Sequence, residues 1–571
     1  MSVTTRAAIW LICLSPLAWI PDALDRFVFP KLALAAAAIA CGALAQRQGK
    51  VPKDILIVSA VGVGWFTLAC LLSPTPVASL LGRWPRYEGV PVILTYAGCA
   101  WLGARLLGNR TKAAMNELFT AVSVVSLVLA ALSILTVAGW SIEGASTESR
   151  TGSVLGNATD QGLVGMMLFA VLLAAALDRR TPLLIAGAVA GPVTVLLSGS
   201  RASLLAVVVV LAVQTYFRRK ELVRVAAGAI VALAALSLLL PQVRDRLGDR
   251  KTVTGRLLLW QQAGHVGLDR WWSGGPSTFI DAVGKYRNEN WVRDVGTQNP
   301  PDSPHSWVLQ ALVAGGIPLL LIALALAALL VRTGYRAVLS EQDPLTIGAF
   351  SAMAGYGLAL LPNFTIAGST CLAAFLVGCL VASEAGRKEQ VVWIRAISAV
   401  AALGVIAFTC GAFAERSLET GIVASRHGEI SQAHKAFETA ESLRPFDGDI
   451  AMLASQALAG AANSRVPGAA AETELWARRS LARTPDTYAS GLALAVAEVS
   501  TGDLADAHTE LDRLITLYPT EPNARIQRGI VRFGQGDLAG ARADLRLAQH
   551  LAPHDPAATT ILRKINADAR R

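Results

Sequence analysis

Apolar runs long enough to cross a lipid bilayer recur through the first 413 residues of the chain. A spanning helix needs roughly 17–25 mostly apolar residues, and soluble proteins rarely reach the 53% of hydrophobic residues found here. We therefore predict an all-α fold in which residues 1–413 form a polytopic bundle of about 12–13 transmembrane helices. The segment SPLAWIPDA lacks a small-x-small cleavage site, so the first helix is expected to be retained. The candidate helices lie near residues 6–21, 28–45, 55–73, 90–107, 116–139, 159–177, 181–198, 202–217, 222–240, 305–331, 344–362, 365–383 and 392–413.

Lysine and arginine residues concentrate in every second loop between these runs. Such a bias marks cytoplasmic loops, because positively charged loops stay on the inner side of the membrane. Orientation thus explains the net charge of +10, and no nucleic-acid partner is predicted. The pattern places residues 241–304 and everything after 413 on the outer side. The basic residues of these loops are Arg47, Lys50, Lys53, Arg105, Arg110, Lys112, Arg179, Arg180, Arg218, Arg219, Lys220, Arg332, Arg336, Arg387 and Lys388.

A repeat of 34 residues follows the membrane region. The segments that begin GDLADA and GDLAGA start at Gly502 and Gly536, and the prolines Pro485, Pro519 and Pro553 have the same spacing. A glycine at the turn and a proline after the second helix of a 34-residue unit are typical of tetratricopeptide repeats. We therefore predict a helical solenoid over residues 414–571, whose concave face binds a partner protein or an acceptor.

All seven cysteines fall inside apolar runs, and none has the spacing of a metal-ligand set. The sequence therefore predicts neither a metal site nor a disulfide framework, and no cofactor is expected.

Several polar residues on the predicted outer side are not explained by the charge bias that sets orientation. They occur in the segments GRWPRYEG, GNATDQG, SGSRAS, TGRLLLW and PDSPHSW. Arg201 has two interpretations, since it could reach lipid phosphates at the membrane edge or face a buried anion site. The candidate site residues are Arg83, Arg86, Glu88, Asn157, Asp160, Arg201, Arg256, Asp302 and His305.

These residue types fit the transfer of a group from a diphosphate carrier. Guanidinium groups bind phosphate oxygens in pairs and can neutralise a diphosphate leaving group. Imidazole has an ordinary pKa near neutrality, so His305 suits removal of a proton from a hydroxyl. A carboxylate of Glu88, Asp160 or Asp302 remains an alternative base. His265 lies on an amphipathic helix and is predicted to be a surface residue.

In their order and in their place relative to the helices, these segments resemble the O-antigen ligase family of membrane glycosyltransferases. The resemblance covers about residues 80–330 and includes SGGPSTF and PHSWVLQALVAGGIPLLL. It implies a GT-C-type enzyme in which Arg201 and Arg256 bind the diphosphate and His305 is catalytic. Arg83 and Arg86, the arginines of GRWPRYEG, are predicted as further substrate-binding residues. The family commonly has Asn after the histidine, where this chain has Ser306, and many members lack a repeat domain.

The resemblance implies metal-independent, inverting transfer of a preassembled glycan from undecaprenyl diphosphate to an acceptor hydroxyl. The expected acceptor is lipid A-core or a similar surface molecule, and the expected location is the bacterial inner membrane, with the site on the periplasmic side. The alternatives are a protein O-oligosaccharyltransferase, a polysaccharide polymerase and, from another functional class, a transporter of lipid-linked sugars. A transporter would leave His305 without a role.

Overall fold

The computed structural model describes residues 1–142, 145, 151–218, 223, 227–228, 251–272, 274–296, 301–384, 391–553 and 555–568. In these ranges the chain forms 24 α-helices, and the strands there are two residues long, Gly49–Lys50 (β1) and Ser383–Glu384 (β2). The all-α prediction is confirmed.

The first nine helices are α1 Val3–Leu14, α2 Val28–Leu44, α3 Lys53–Leu71, α4 Pro76–Leu81, α5 Val90–Leu107, α6 Lys112–Val137, α7 Ala158–Arg179, α8 Pro182–Ser198 and α9 Arg201–Arg218. The outer segment adds α10 Lys251–Asp269, α11 Phe279–Ala282 and α12 Glu289–Asp294. Four helices follow, α13 Trp307–Glu341, α14 Pro344–Ala359, α15 Ala367–Val381 and α16 Val391–Arg426. The repeat region comprises α17 Ile430–Leu443, α18 Gly448–Asn463, α19 Ala469–Arg483, α20 Tyr488–Thr501, α21 Leu504–Leu517, α22 Pro522–Gly534, α23 Leu538–Leu551 and α24 Pro556–Asp568.

Seven of the described helices are long and apolar enough to cross a membrane. They are α3, α5, α6, α7, α9, α13 and α16, and shorter apolar helices accompany them. Twelve of the predicted helices are present, while the predicted helix 222–240 lies almost entirely outside the described residues. The protein is therefore a membrane protein with a multi-helix bundle.

Glycines let the helices of the bundle approach closely. A Cβ on Gly378 of α15 would lie 1.8 Å from the Ala100 carbonyl oxygen of α5, and one on Gly103 would lie 2.0 Å from the Phe375 carbonyl oxygen. Membrane helices pack through such small residues, because lipid supplies no hydrophobic force between them.

The loops predicted to be cytoplasmic meet at one end of the bundle. Gly49 pairs with Glu384 and Lys50 with Ser383 in a short antiparallel ladder. At the same end, the guanidinium of Arg105 donates to carbonyl groups at the end of α2. These loops, which their positive charge assigned to the same side of the membrane, therefore lie together in the structure.

The predicted helix 305–331 is corrected in two ways. It begins at Trp307, so His305 precedes it, and it runs to Glu341 with non-helical dihedrals at Gly315 and Gly316. The outer segment packs at this break, where the Ile317 amide donates to the Trp271 carbonyl at 2.6 Å. Residues 307–314 thus form a separate short helical segment on the outer side of the break, which packs against α10 through Val313.

The helix α16 continues from the membrane region into the repeats without interruption. It has 36 residues, and the predicted domain boundary at 413 falls inside it. Its last turns supply Leu418 and Ile422 to the repeat core, where they join Phe437 and Leu458. Helix pairs then stack through α24, and the turn glycines Gly428, Gly502 and Gly536 all have positive φ, a conformation that costs glycine little.

Candidate active site

His305 lies at the outer end of the bundle, directly before α13. Its φ of 48° is in the left-handed region, which is uncommon for a residue other than glycine. Its amide donates to the Ser303 hydroxyl at 3.3 Å, and its ring packs edge-on against Phe364 with centroids 4.7 Å apart. Burial, followed by the charges of Arg256 and Arg86, lowers the pKa of His305 to about 4, against the opposing effect of Asp302. The imidazole is therefore neutral near pH 7 and able to accept a proton.

Arg256 projects from α10 toward the same loop between α14 and α15. Its guanidinium donates to the Pro362 carbonyl and, at 3.2 Å, to the Asn363 side-chain oxygen. Burial, together with the nearby positive charge of Arg201, lowers the pKa of Arg256. The two guanidiniums therefore lie close enough to repel one another, with neutral oxygens as the hydrogen-bond acceptors of Arg256.

Arg201 is placed by the turn that joins α8 to α9. Gly199 has a φ of 58°, and the Ser200 hydroxyl accepts from the Ser203 amide at 3.3 Å as a helix cap. Arg201 is thus the first residue of α9, at the helix end that faces α10. The structure brings together Arg201, Arg256 and His305, the three residues that the family resemblance singles out.

Arg86 lies next to His305 but is held by two carboxylates. Its Nε is 2.7 Å from an Asp302 oxygen and its Nη1 is 3.2 Å from a Glu88 oxygen. Burial works to lower the pKa of Arg86, but Asp302 and Glu88 outweigh it and raise that pKa. The other Glu88 oxygen accepts from the Thr365 hydroxyl, and the Arg86 guanidinium lies over the Phe364 ring. Arg86, Glu88 and Asp302 therefore form a compensated cluster beside the histidine.

Arg83 lies at the junction between the bundle and the repeats. It is buried, pairs with Asp281 of the outer segment, and donates to Asp449 of α18 at 2.9 and 2.8 Å. It also donates to the Thr487 hydroxyl at 3.3 Å. Arg83 was predicted to bind substrate; in this structure its charge is compensated on both sides.

Two further ion pairs hold the same junction. Arg287 of the outer segment pairs with Glu521 of the repeats, and both are buried. Arg444 lies 2.9 Å from Glu415, which also accepts from the Tyr87 hydroxyl at 2.6 Å. The charged contacts therefore attach the GRWPRY loop and the outer segment to the repeat domain.

Asn157 and Asp160 organise the start of α7. The Asn157 side chain caps the helix by accepting from the Thr159 amide at 2.7 Å. Asp160 is fully buried and accepts from the Ser369 amide at 3.0 Å. In the structure these two candidate supporting residues contact backbone groups. Among the described residues, no three His, Cys, Asp or Glu side chains gather as a metal site would require.

The loop between α14 and α15 is the part of the site that the sequence interpretation missed. Its residues Pro362, Asn363, Phe364 and Thr365 contact Arg256, Arg86, Glu88 and His305. The stretch LPNFT is short and uncharged, so the search for charged outer residues passed over it. Its polar carbonyl and amide groups between two apolar helices are the signal that could have identified it.

A cavity of about 1510 Å³ opens between the outer segment and the inner helices of the repeats. Trp84, Pro85 and Asp302 line both this cavity and a small pocket of about 20 Å³, which Arg86 and Glu88 complete. The large cavity therefore adjoins the compensated cluster beside His305.

Comparisons with known proteins agree with this division of the chain. Residues 186–324 match the family model described as O-Antigen ligase, and residues 492–556 match a tetratricopeptide repeat model. No curated protein is significantly similar to the chain.

Several solved structures are similar to the chain. A thermophilic TPR protein in Thermus thermophilus is 16% identical, over 29% of this chain and 93% of that one, with a TM-score of 0.24. MamA is 22% identical, over 28% and 83%, with a TM-score of 0.22. Yeast Tom70 is 11% identical, over 91% and 96%, with a TM-score of 0.21. Since these TM-scores are low, the assignment depends on the helix pattern and the family matches. The chain thus combines a membrane region similar to O-antigen ligases with a C-terminal tetratricopeptide repeat domain, as the sequence motifs predicted.

Proposed function

We propose that the protein transfers a preassembled glycan from a polyprenyl diphosphate, undecaprenyl diphosphate in bacteria, to an acceptor hydroxyl. The observation that carries the proposal is the placement of Arg256 and Arg201 beside a neutral His305. Guanidinium groups bind phosphate oxygens in pairs, and a diphosphate is an anion that two neighbouring guanidiniums can bind together. The match of residues 186–324 to O-antigen ligases supports the same chemistry.

In the proposed reaction, the acceptor hydroxyl oxygen attacks the anomeric carbon of the donor sugar. The bond from that carbon to the diphosphate oxygen breaks, and its electron pair leaves with the diphosphate. His305 takes the hydroxyl proton, while Arg201 and Arg256 stabilise the charge that develops on the leaving group. Attack from the side opposite the diphosphate inverts the anomeric centre. The guanidiniums do the neutralisation that a metal ion does in other transferases, so the proposed transfer is metal-independent.

The proposed location is the bacterial plasma membrane, with the site and the repeat domain on the outer side. The basic loops that meet at the opposite end of the bundle support this orientation. The donor lipid would then lie in the outer leaflet, with its diphosphate at the level of Arg201 and Arg256. Lipid A-core or a similar surface molecule is the acceptor that the family resemblance suggests.

The test uses membranes containing the protein, a labelled polyprenyl-diphosphate glycan and EDTA, with release of polyprenyl diphosphate as the measurement. His305→Ala should lower the rate by about 10²–10⁴-fold, the usual contribution of a general base. His265→Ala is the matched control, because His265 is the exposed histidine of the same outer segment and stacks on Tyr286. Full activity of the His305→Ala variant would indicate that Glu88 or Asp302 is the general base instead. Loss of activity of the parent protein in EDTA would contradict a metal-independent reaction.

A further inference from the structure

One face of α10, the helix that carries Arg256, is buried, and the opposite face is exposed. Leu257 and Leu268 of the exposed face are 57% and 64% exposed. The rotation and height of α10, and with them the position of Arg256, therefore depend on contacts along the buried face. Leu259, Ala263 and Val266 of that face form an apolar cluster with Phe279, Val283, Trp291, Val292, Val313 and Leu551.

The repeats bind the part of the outer segment that covers this face through a buried ion pair. Arg287, which directly precedes α12, pairs with Glu521, and both side chains are buried. The Thr520 hydroxyl also donates to the Arg287 carbonyl at 3.5 Å. Because a buried charge needs its partner, this pair anchors the outer segment to the start of α22.

A second contact joins Gly284 of the outer segment to the ring of Tyr518. A Cβ added to Gly284 would overlap ring carbons of Tyr518, so the two chains meet here without room for a side chain. The Tyr518 hydroxyl donates to the Asp486 carbonyl, and its ring packs edge to face on Tyr488 with centroids 5.0 Å apart. The ring is therefore held within the repeats, and the outer segment lies directly against it.

Two further contacts lie on either side of these. The Thr487 hydroxyl donates to Asp281 at 3.5 Å, and Leu551 at the end of α23 packs in the same apolar cluster as Val292. Contacts from successive repeats thus extend along residues 281–292 of the outer segment. These are the residues that cover the buried face of α10.

The repeats are in turn attached to the membrane bundle. The helix α16 continues from the bundle into the repeats, and its Glu415 accepts from the Asp25 amide at 3.0 Å and from the Tyr87 hydroxyl at 2.6 Å. Arg444 of α17 lies 2.9 Å from Glu415. The repeats therefore connect the bundle to the outer segment by a path separate from the chain that runs through α10.

We infer that the repeat domain positions the donor site, with Tyr518 and Glu521 as positioning residues that act on Arg256 through the outer segment. This inference rests on the proposed function, in which Arg256 binds the diphosphate. Misplacement of a substrate-positioning group by about 1 Å can lower a rate by about 10²-fold. A small movement of the outer segment away from the repeats would therefore reduce transfer, although no repeat residue touches the diphosphate.

Two variants loosen the contact from opposite sides in the full-length protein in lipid nanodiscs. Gly284→Val places a side chain against the Tyr518 ring and pushes the outer segment away from the repeats. Glu521→Gln removes the charge that compensates Arg287. The two changes lie in different parts of the chain, so a shared effect reports on the contact between them.

Each variant has a matched control. Gly264→Ala lies on α10 itself, where an added Cβ would meet no other atom within 4 Å. Glu441→Gln removes a carboxylate that pairs with Arg479 and Arg483 inside the repeats. This control lowers the stability of the repeats without touching the outer segment, so it separates a general loss of stability from a loss of position.

The first measurement is amide hydrogen exchange of α10, which needs neither donor nor acceptor. Exchange should be about tenfold or more faster in both test variants and as in the parent in both controls. The Kd for polyprenyl diphosphate without a glycan should rise by about tenfold. In the transfer assay, kcat should fall about 10–100-fold while KM for the acceptor stays unchanged, because Arg256 acts on the leaving group.

The double variant Arg287→Met with Glu521→Leu tests whether docking matters, and not the charges as such. Apolar residues of similar volume can replace a buried ion pair without loss of stability. This variant should regain the slow exchange, the parental Kd and the parental kcat. Failure of the rescue, with exchange as fast as in Glu521→Gln, would overturn the assignment of Glu521 as a residue that acts through docking.

The outcomes distinguish this inference from the proposed function. Unchanged exchange of α10 in both test variants would overturn the inference, as would faster exchange with parental Kd and kcat. Faster exchange and weaker diphosphate binding, together with no transfer by the parent protein, would keep the inference and refute the proposed transfer.

Discussion

Two arginine sites at the outer face of the protein differ in how their positive charge is compensated. Arg83, at the junction with the repeats, is buried between the carboxylates of Asp281 and Asp449. Arg256, beside His305, donates to the Pro362 carbonyl and the Asn363 amide oxygen and lies near the like charge of Arg201. The residue type is the same, and both arginines were predicted to bind the substrate.

The difference separates a structural role from a ligand-binding role. A guanidinium that already contacts carboxylates gains little from a phosphate, since the new anion would compete with those in place. A guanidinium with neutral partners and a positive neighbour gains from any anion that arrives. We therefore propose that Arg83 holds the domains together and that Arg256 binds the donor, and a substitution can test each proposal.

The largest expected effect is on stability at the junction. Arg83→Met would leave the buried Asp449 carboxylate and the partly buried Asp281 carboxylate without their countercharge, which costs about 3–5 kcal/mol when one partner of a buried pair is removed. Thermal unfolding in nanodiscs, with protease release of the repeat domain as a second measurement, would detect it.

Arg416→Ala is the control for that substitution. The Arg416 side chain is 48% exposed and lies 3.8 Å from Asp22, so this surface pair should contribute about 0–1 kcal/mol. If Arg83→Met were as stable as this control but failed to bind donor, Arg83 would be a substrate residue, as the sequence alone predicted.

The next effect is on the rate of transfer. Arg256→Ala should lower kcat by about 10²–10³-fold, as loss of one donor to a developing anion does. Its melting temperature should not fall, because the substitution also removes the repulsion with Arg201. Arg256→Lys should give an intermediate rate, since lysine keeps the charge but not the paired donors. A strong loss of stability with an unchanged rate would reverse the assignment.

The smallest expected effect is a shift in the pH profile. Since His305 must be neutral to act as a base, activity should fall as the pH drops through its pKa. The acidic limb of kcat/KM, which reports the free enzyme, should lie near pH 4, because burial and the charges of Arg256 and Arg86 lower the pKa of His305 to about 4.

The acidic limb of the kcat profile, which reports the enzyme with donor bound, should lie about 1–2 pH units higher. The bound diphosphate offsets the positive charges near the imidazole and so raises the pKa of His305. Profiles measured with the His265→Ala variant serve as the control. An acidic limb at the same pH in both profiles would contradict the placement of the diphosphate beside His305.

The membrane helices were predictable because each depends on local hydrophobicity. The break at Gly315 and Gly316 was not predicted, since it is made by distant contacts: Trp271 accepts from the Ile317 amide, and the Trp65 indole donates to the Gly315 carbonyl at 2.8 Å. The sequence GGIP, with Pro318 after two glycines, carried a local signal for such a break.

The site was predictable only in part. Arg201, Arg256 and His305 came from motifs that resemble a family, and the structure places them together. The partners of Arg83 could not be predicted, because Asp449 lies 366 positions further along the chain and no local pattern links them. Phe364 was missed because an uncharged residue in a short loop has no distinctive pattern of its own.

The continuous helix α16 fixes the repeats in rotation as well as in height. Each residue of an α-helix turns the chain by about 100° and advances it by about 1.5 Å. One residue added near Phe413 would therefore rotate the concave face of the repeats away from the outer segment. The number of residues between the membrane region and the repeats thus sets the rotation of the repeat domain about the axis of α16. The cavity between the outer segment and the repeats forms only at the matching rotation.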